Sequence, residues 1–174
     1  MRIINKPLPE EYPDYICIYM DLLGEDGKIL EHLEQNFSEI RDFIYRLPEE
    51  KLYYRYDTGK WTIKEILVHL IDDERIFAYR ALRYARNDDT PLHGFEQNSY
   101  ARYSEAGSRS LESIFSEYEA VRKATITLFE NLPKTALDRG GRSASGLYWS
   151  VRALVYHIAG HELRHFNIIK ERYL

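Results

Sequence analysis

The chain has 174 residues, enough for one domain with a substantial core and too few to expect two. Its formal charge of -4 at pH 7 lacks the positive field that a phosphate backbone requires, which disfavours a nucleic-acid partner despite a local basic run at Arg80, Arg83 and Arg86. A single cysteine, Cys17, excludes an internal disulfide and a cysteine metal cluster, and the lack of a signal-like start or a run of ~20 apolar residues predicts a cytoplasmic protein without a membrane span.

Residues 1–23 carry Pro7, Pro9 and Pro13 and then Tyr15-Ile16-Cys17-Ile18-Tyr19, which predicts an arm packed on a single domain formed by residues 24–174. From about Gly27 to Leu47, the positions Leu30, Leu33, Phe37, Ile40 and Ile44 recur at three and four, a helical period that Pro48 ends. His32 falls on the polar side of that helix and is expected to be solvated. Thr62 with Glu65 has the form of a capping box, so a second helix should start at Trp61 or Thr62 and run to about Asn87, with His69 two turns inside. The run from Asn87 to Gly94 breaks it, and a long connection then leads to Ser110. Connections of that length in small domains are more often functional than idle. A third helix is expected from Ser110 to Leu132, carrying Ile114, Phe115, Tyr118, Val121, Leu128 and Phe129. Gly140, Gly141, Ser143, Ser145 and Gly146 predict a loop, after which Ser150 caps a fourth helix, and no strand is expected.

The segment from Trp61 to Leu70 recurs 88 residues later, from Trp149 to Ile158, matched in residue class at most positions. Each copy is led in by Leu-Pro-x-x-x-Leu, with Leu47, Pro48 and Leu52 in the first and Leu132, Pro133 and Leu137 in the second. Such a period marks a supersecondary unit used twice. Helix, Pro-broken turn, loop and helix, taken twice, give an all-α four-helix bundle.

His161 and His165 stand four residues apart, which places both imidazoles on one helical face and points to a metal site. One helix rarely supplies every ligand, and His69 is the natural donor from a second. His157 complicates the choice. Histidines at 157, 161 and 165 drift by about 40° per step, so either adjacent pair can share an ion while all three cannot. The repeat aligns His157 with His69 and favours that pair by pseudo-symmetry, so spacing leaves both sets open. Three imidazoles with an open position suit zinc and related ions in catalytic rather than structural sites. Asp72 and Asp73 follow His69 by one turn; Asp73 lies nearer its face, where a carboxylate can orient an imidazole or accept a proton. Glu162 sits off the His161 face and can pair across the bundle, Glu74 reads as structural, and His93 reads as a surface-loop residue. No nucleophile elbow, P-loop or dinucleotide fingerprint is present.

The runs Trp61–Leu82, Pro91–Asn98 and His157–His165, in that order, closely resemble the DinB-like (YfiT-like) superfamily, whose members are assigned as metal-dependent hydrolases. The resemblance covers nearly the whole chain beyond the arm. It implies a four-helix bundle that holds a divalent metal, often zinc or nickel, on one His of the second helix and an HxxxH pair of the fourth. Carried over, these are His69, His161 and His165, which leaves His157 behind the ligands and Asp73 as the residue for proton transfer or support. Many relatives have His where this chain has Arg164 and Pro where it has His93, differences that alter the mouth of the site without removing a ligand. The resemblance implies either hydrolysis or thiol-dependent S-transfer of a small-molecule substrate, the latter with a low-molecular-weight thiol such as bacillithiol or mycothiol. It also implies a homodimer. The rival reading is a non-catalytic module in which the metal staples the bundle or a small ligand is sensed.

Overall fold

The structure, a computed structural model, describes residues 1–88 and 90–174. The arm makes 3-10 turns at Pro9–Glu11 and Asp14–Ile16 and a one-turn helix, α1 (Cys17–Met20). There follow α2 (Ile29–Ile44), α3 (Glu49–Tyr53), α4 (Ile63–Ala85), α5 (Gln97–Tyr103), α6 (Leu111–Asn131) and α7 (Val151–Arg172). Short strands β1 (Gly140–Arg142) and β2 (Tyr148–Ser150) stand between the last two.

The long helices begin where local chemistry dictates. Thr62 accepts from the Glu65 amide at 3.2 Å while the Glu65 carboxylate accepts from the Thr62 amide at 2.7 Å, so both halves of the capping box form. Ser110 caps α6 through the Ser113 amide and Ser150 caps α7 through the Ala153 amide. The two Leu-Pro lead-ins also behave alike. Pro48 opens α3 and Pro133 opens a 3-10 turn at Lys134–Ala136, each burying its following leucine, Leu52 and Leu137.

Packing divides the core into two apolar clusters. One joins the first half of α2 (Ile29, Leu30, Leu33) to the last half of α4 (Phe77, Ala81, Tyr84) and the first half of α7 (Leu154, Val155, Ile158). The other joins the last half of α2 (Phe37, Ile40) to the first halves of α4 (Ile66, Leu67, Leu70) and α6 (Ile114, Phe115) and the end of α7 (Phe166, Ile169). Shared halves fix the directions: α2 and α7 run one way, α4 and α6 the other. Because α4 and α6 lie side by side and parallel, the chain must return the length of the bundle between them, which explains the long connection. Between the two clusters runs a buried polar layer of His69, Asp73 and Glu74 from α4, Arg122 from α6, and His157, His161 and Glu162 from α7.

One expectation needs correction. The Gly-rich loop is an antiparallel ribbon pairing Gly140 with Ser150 and Arg142 with Tyr148, not a bare loop. Gly141 makes this possible, since a Cβ there would stand 2.3 Å from the Tyr84 ring of α4. The long connection after α4 contains α5 and a 3-10 turn at Ala106–Ser108. The arm packs on the bundle through Ile4, Ile16 and Met20, which are fully buried in the first cluster. Gly160 admits it, for a Cβ at that position would meet the Tyr19 carbonyl oxygen at 2.5 Å.

Candidate metal centre

α4 and α7 bring three imidazoles to one point. Nε2 of His161 lies 3.2 Å from Nε2 of His69 and 3.1 Å from Nε2 of His165. A neutral imidazole has one N–H and one lone pair, so three facing Nε2 atoms cannot all satisfy one another. Zinc holds imidazole nitrogens at about 2.0–2.1 Å, which separates tetrahedral neighbours by about 3.3–3.4 Å and right-angled ones by about 2.9 Å. The two separations fall between these limits, so the cluster fits a divalent ion.

The protonation states agree with that fit. Burial, with His161 beside it, lowers the pKa of His69 to about 4. Burial also lowers His165 well below the usual imidazole range. Both imidazoles are therefore uncharged at neutral pH, and each has one lone pair to offer. Behind His161 stands Asp73, whose Oδ2 is 3.2 Å from His161 Nδ1 and 3.3 Å from His157 Nε2. Burial alone would raise the pKa of Asp73, but His161 and His157 reverse this and hold it well below the ordinary carboxylate range. At 3.2 Å the ionised carboxylate favours the tautomer with the proton on His161 Nδ1, which leaves the Nε2 lone pair facing His69 and His165.

Neighbouring side chains fix the cluster. Trp61 packs on His69 at 4.7 Å between ring centres and lies nearly parallel to His165. A cavity of about 200 Å³ opens beside His165, walled by Tyr56, Trp61 and Tyr173, with Lys60 and Asn98 at its polar side. Next to His161 in sequence, Glu162 accepts from Arg122 at 2.7 Å and from the Tyr118 hydroxyl at 2.5 Å. Arg122 also donates to Glu74 at 2.9 Å and to the Leu33 carbonyl. One buried guanidinium thus ties α2, α4, α6 and α7 together, and it sets the distance between the His69 helix and the His161 helix.

Of the residues singled out by spacing, His69, His161 and His165 converge, and Asp73 joins them from behind. His157 does not enter the three-nitrogen cluster. Its ring stacks on Phe77 at 3.8 Å between centres, and burial lowers its pKa. His93 is exposed on the connection, as expected, whereas His32, expected to be solvated, is half-buried and bonds Asp26 at 3.1 Å. Tyr19, whose ring edge meets His157 and His161, had no sequence signal beyond its place in an aromatic stretch of the arm. Gly160, the residue that admits it, is the one mark of that approach in the sequence.

The fold is shared with known proteins. The DinB superfamily model matches residues 32–169, and the chain belongs to that family. A protein of Oceanobacillus iheyensis named "Putative metal-dependent hydrolase" is 26% identical over 142 residues, which span 81% of each chain. Among solved structures, YfiT from Bacillus subtilis, described as having an unusual four-helix bundle topology, superimposes with a TM-score of 0.75 at 15% identity over 83% of each chain. The mycothiol-dependent maleylpyruvate isomerase gives a TM-score of 0.65 at 11% identity, covering 79% of this chain and 57% of the isomerase.

Proposed function

We propose that the protein is a metal-dependent hydrolase acting on a small molecule, with His69, His161 and His165 as the ligands. The carrying observation is the convergence of three imidazole nitrogens with an ionised carboxylate behind the middle one. A divalent ion such as zinc or nickel, when bound there, supplies Lewis-acid polarisation and generates a nucleophile near neutral pH. The chain supplies the rest. Asp73 holds the proton on His161 Nδ1, so of its two expected roles, positioning is favoured over proton transfer. Trp61 shields His69 and His165 from water, while Tyr56 and Tyr173 offer aromatic walls and Lys60 and Asn98 offer polar contacts to a substrate in the adjoining cavity. A second reading, transfer to or from a low-molecular-weight thiol such as bacillithiol, draws on the shared fold of the mycothiol-dependent isomerase. The homodimer implied by family resemblance belongs to the same proposal, and light scattering on the purified protein tests it.

Metal content of untagged protein, with His69→Ala and His161→Ala alongside, is the primary test. We expect one equivalent in the wild type, lost in both variants, and hydrolysis of ester or amide substrates that disappears with the metal. Activity that requires added thiol would select the second reading. Failure to take up metal even after reconstitution would refute both and leave a non-catalytic binding module.

A further inference from the structure

The 88-residue repeat extends along α4 and α7 beyond the segment in which the two copies are alike. Applied to the metal cluster, it carries His69 onto His157, relates His161 to Asp73 and relates His165 to Phe77. The polar layer therefore contains a pseudo-symmetric partner of the metal cluster, in which a carboxylate and a phenyl ring replace two imidazoles. Phe77 covers the face of His157 where the repeat would place an imidazole, and the third polar donor near Asp73 and His157 is His161, which the two clusters share.

It retains a cavity. A space of about 250 Å³ lies over His157, bounded by Tyr15 and Tyr19 of the arm, Phe77 and Arg80 of α4, and Phe95. Arg80 sits where the repeat places Ile168, a residue that lines the cavity beside His165. Its guanidinium lies over the Phe77 ring at 4.6 Å, and its one hydrogen bond among the described residues goes to the His93 carbonyl at 3.2 Å. It forms no ion pair among the described residues, whereas its neighbour Arg83 pairs with Asp88. Asp73, the carboxylate bordering the cavity, is engaged by His161 and His157. Both ring nitrogens of His157 are buried without an aligned hydrogen-bond partner, although Nε2 lies near Asp73.

From this arrangement we infer that the cavity over His157 binds the anionic group of a small molecule, with Arg80 as its principal donor. A partly buried guanidinium with unspent N–H groups matches the oxygens of a carboxylate or a phosphate. The aromatic walls suit a short organic body, and the volume is below the ~300 Å³ typical of the smallest drug-sized pockets. His69, Asp73, Phe77 and Arg80 form a stripe along α4, spanning roughly 16 Å of helix axis. His161 and Asp73 also line this cavity, so the anion site adjoins the metal cluster on the side away from His69 and His165 while Arg80 stands at its far end, and the inference does not require the metal to be present.

The test is calorimetric titration of inorganic phosphate and of succinate into chelator-stripped and metal-loaded protein, for wild type, Arg80→Gln and Arg80→Lys. We expect one of the two anions to bind stripped wild type, Arg80→Gln to weaken it at least tenfold, and Arg80→Lys to restore part of the loss. Which anion binds separates the carboxylate source from the phosphate source. Equal affinity in Arg80→Gln would overturn the inference and reduce Arg80 to a latch on the His93 carbonyl. Binding seen only in metal-loaded protein would also overturn it, while leaving the metal reading intact. Conversely, anion binding by a protein that takes up no metal would support the anion site and defeat the metalloenzyme. Should Arg80→Gln fail to fold, the contrast between wild type and Arg80→Lys, expected to be a smaller loss in the same direction, decides the matter; unchanged affinity there would overturn it.

Discussion

Replacing Asp73 tests whether the carboxylate behind His161 sets the metal affinity. Its Oδ2 is 3.2 Å from His161 Nδ1, and its side chain is only 7% exposed, so solvent cannot substitute for it. Residues that orient a ligating histidine typically contribute 10–100-fold in metal affinity, or roughly 1.4–2.7 kcal/mol. Two substitutions divide that range. Asp73→Asn keeps an oxygen that can accept the Nδ1–H but loses the charge, and should weaken metal binding by about tenfold. Asp73→Leu removes the acceptor as well, so the ring proton can move to Nε2 and block the ligand; about a hundredfold loss is expected. Competition against a chromophoric chelator near neutral pH measures both, with circular dichroism to show that each variant is folded. Wild-type affinity in the Leu variant, or an Asn variant weaker than the Leu variant, would refute the reasoning.

Acid should destabilise the metal-free protein through His69. Its folded-state pKa of about 4 lies below the unfolded value near 6.5, so the unfolded chain binds the extra proton between them and stability falls as pH drops through that window. The full effect of His69 is roughly 3 kcal/mol and should show as a lower urea midpoint at pH 4 than at pH 7; His165 and His157, also lowered by burial, act in the same direction, so His69→Ala should reduce the difference without abolishing it. Arg122→Met would leave Glu74 and Glu162 buried without their cation, and a loss of about 3–5 kcal/mol in urea unfolding is expected; a neutral result would mean that the network does not hold the helices. Gly160→Ala poses a contest of sign. Helix propensity favours alanine by ~1 kcal/mol, but the new methyl would meet the Tyr19 carbonyl, and overpacking of ~1–3 kcal/mol should win and expose residues 1–23 to proteolysis. An alanine variant that melts higher and resists protease would show that the arm does not rest on α7.

Helix starts are legible in this sequence because a cap is a local event. Thr62 with Glu65, Ser110 and Ser150 each satisfy amides within three residues, so the expected starts of α4, α6 and α7 lie within two residues of those observed. The helix ends and the first helix are less sharp, with α2 running Ile29–Ile44 rather than to Leu47, since fraying and short turns depend on what packs against them. The ribbon at Gly140–Ser150 is illegible for a related reason. Glycine and serine carry no alternating pattern, and the strands exist because Tyr84 and Leu92, distant in sequence, receive them.

By itself, then, the sequence determines the helices, their repeat and the face shared by His161 and His165, all of which follow from spacing along one chain segment. Its family resemblance selects His69 as their partner. The rotation of α7 about its own axis is decided only in three dimensions, by the Arg122 network on one side and the close approach of Tyr19 to Gly160 on the other. That rotation turns His161 Nε2 toward His69 and Nδ1 toward Asp73, and turns His157 onto Phe77. No local period encodes it, because it depends on contacts between segments forty or more residues apart, such as Arg122 with Glu162 at a separation of 40.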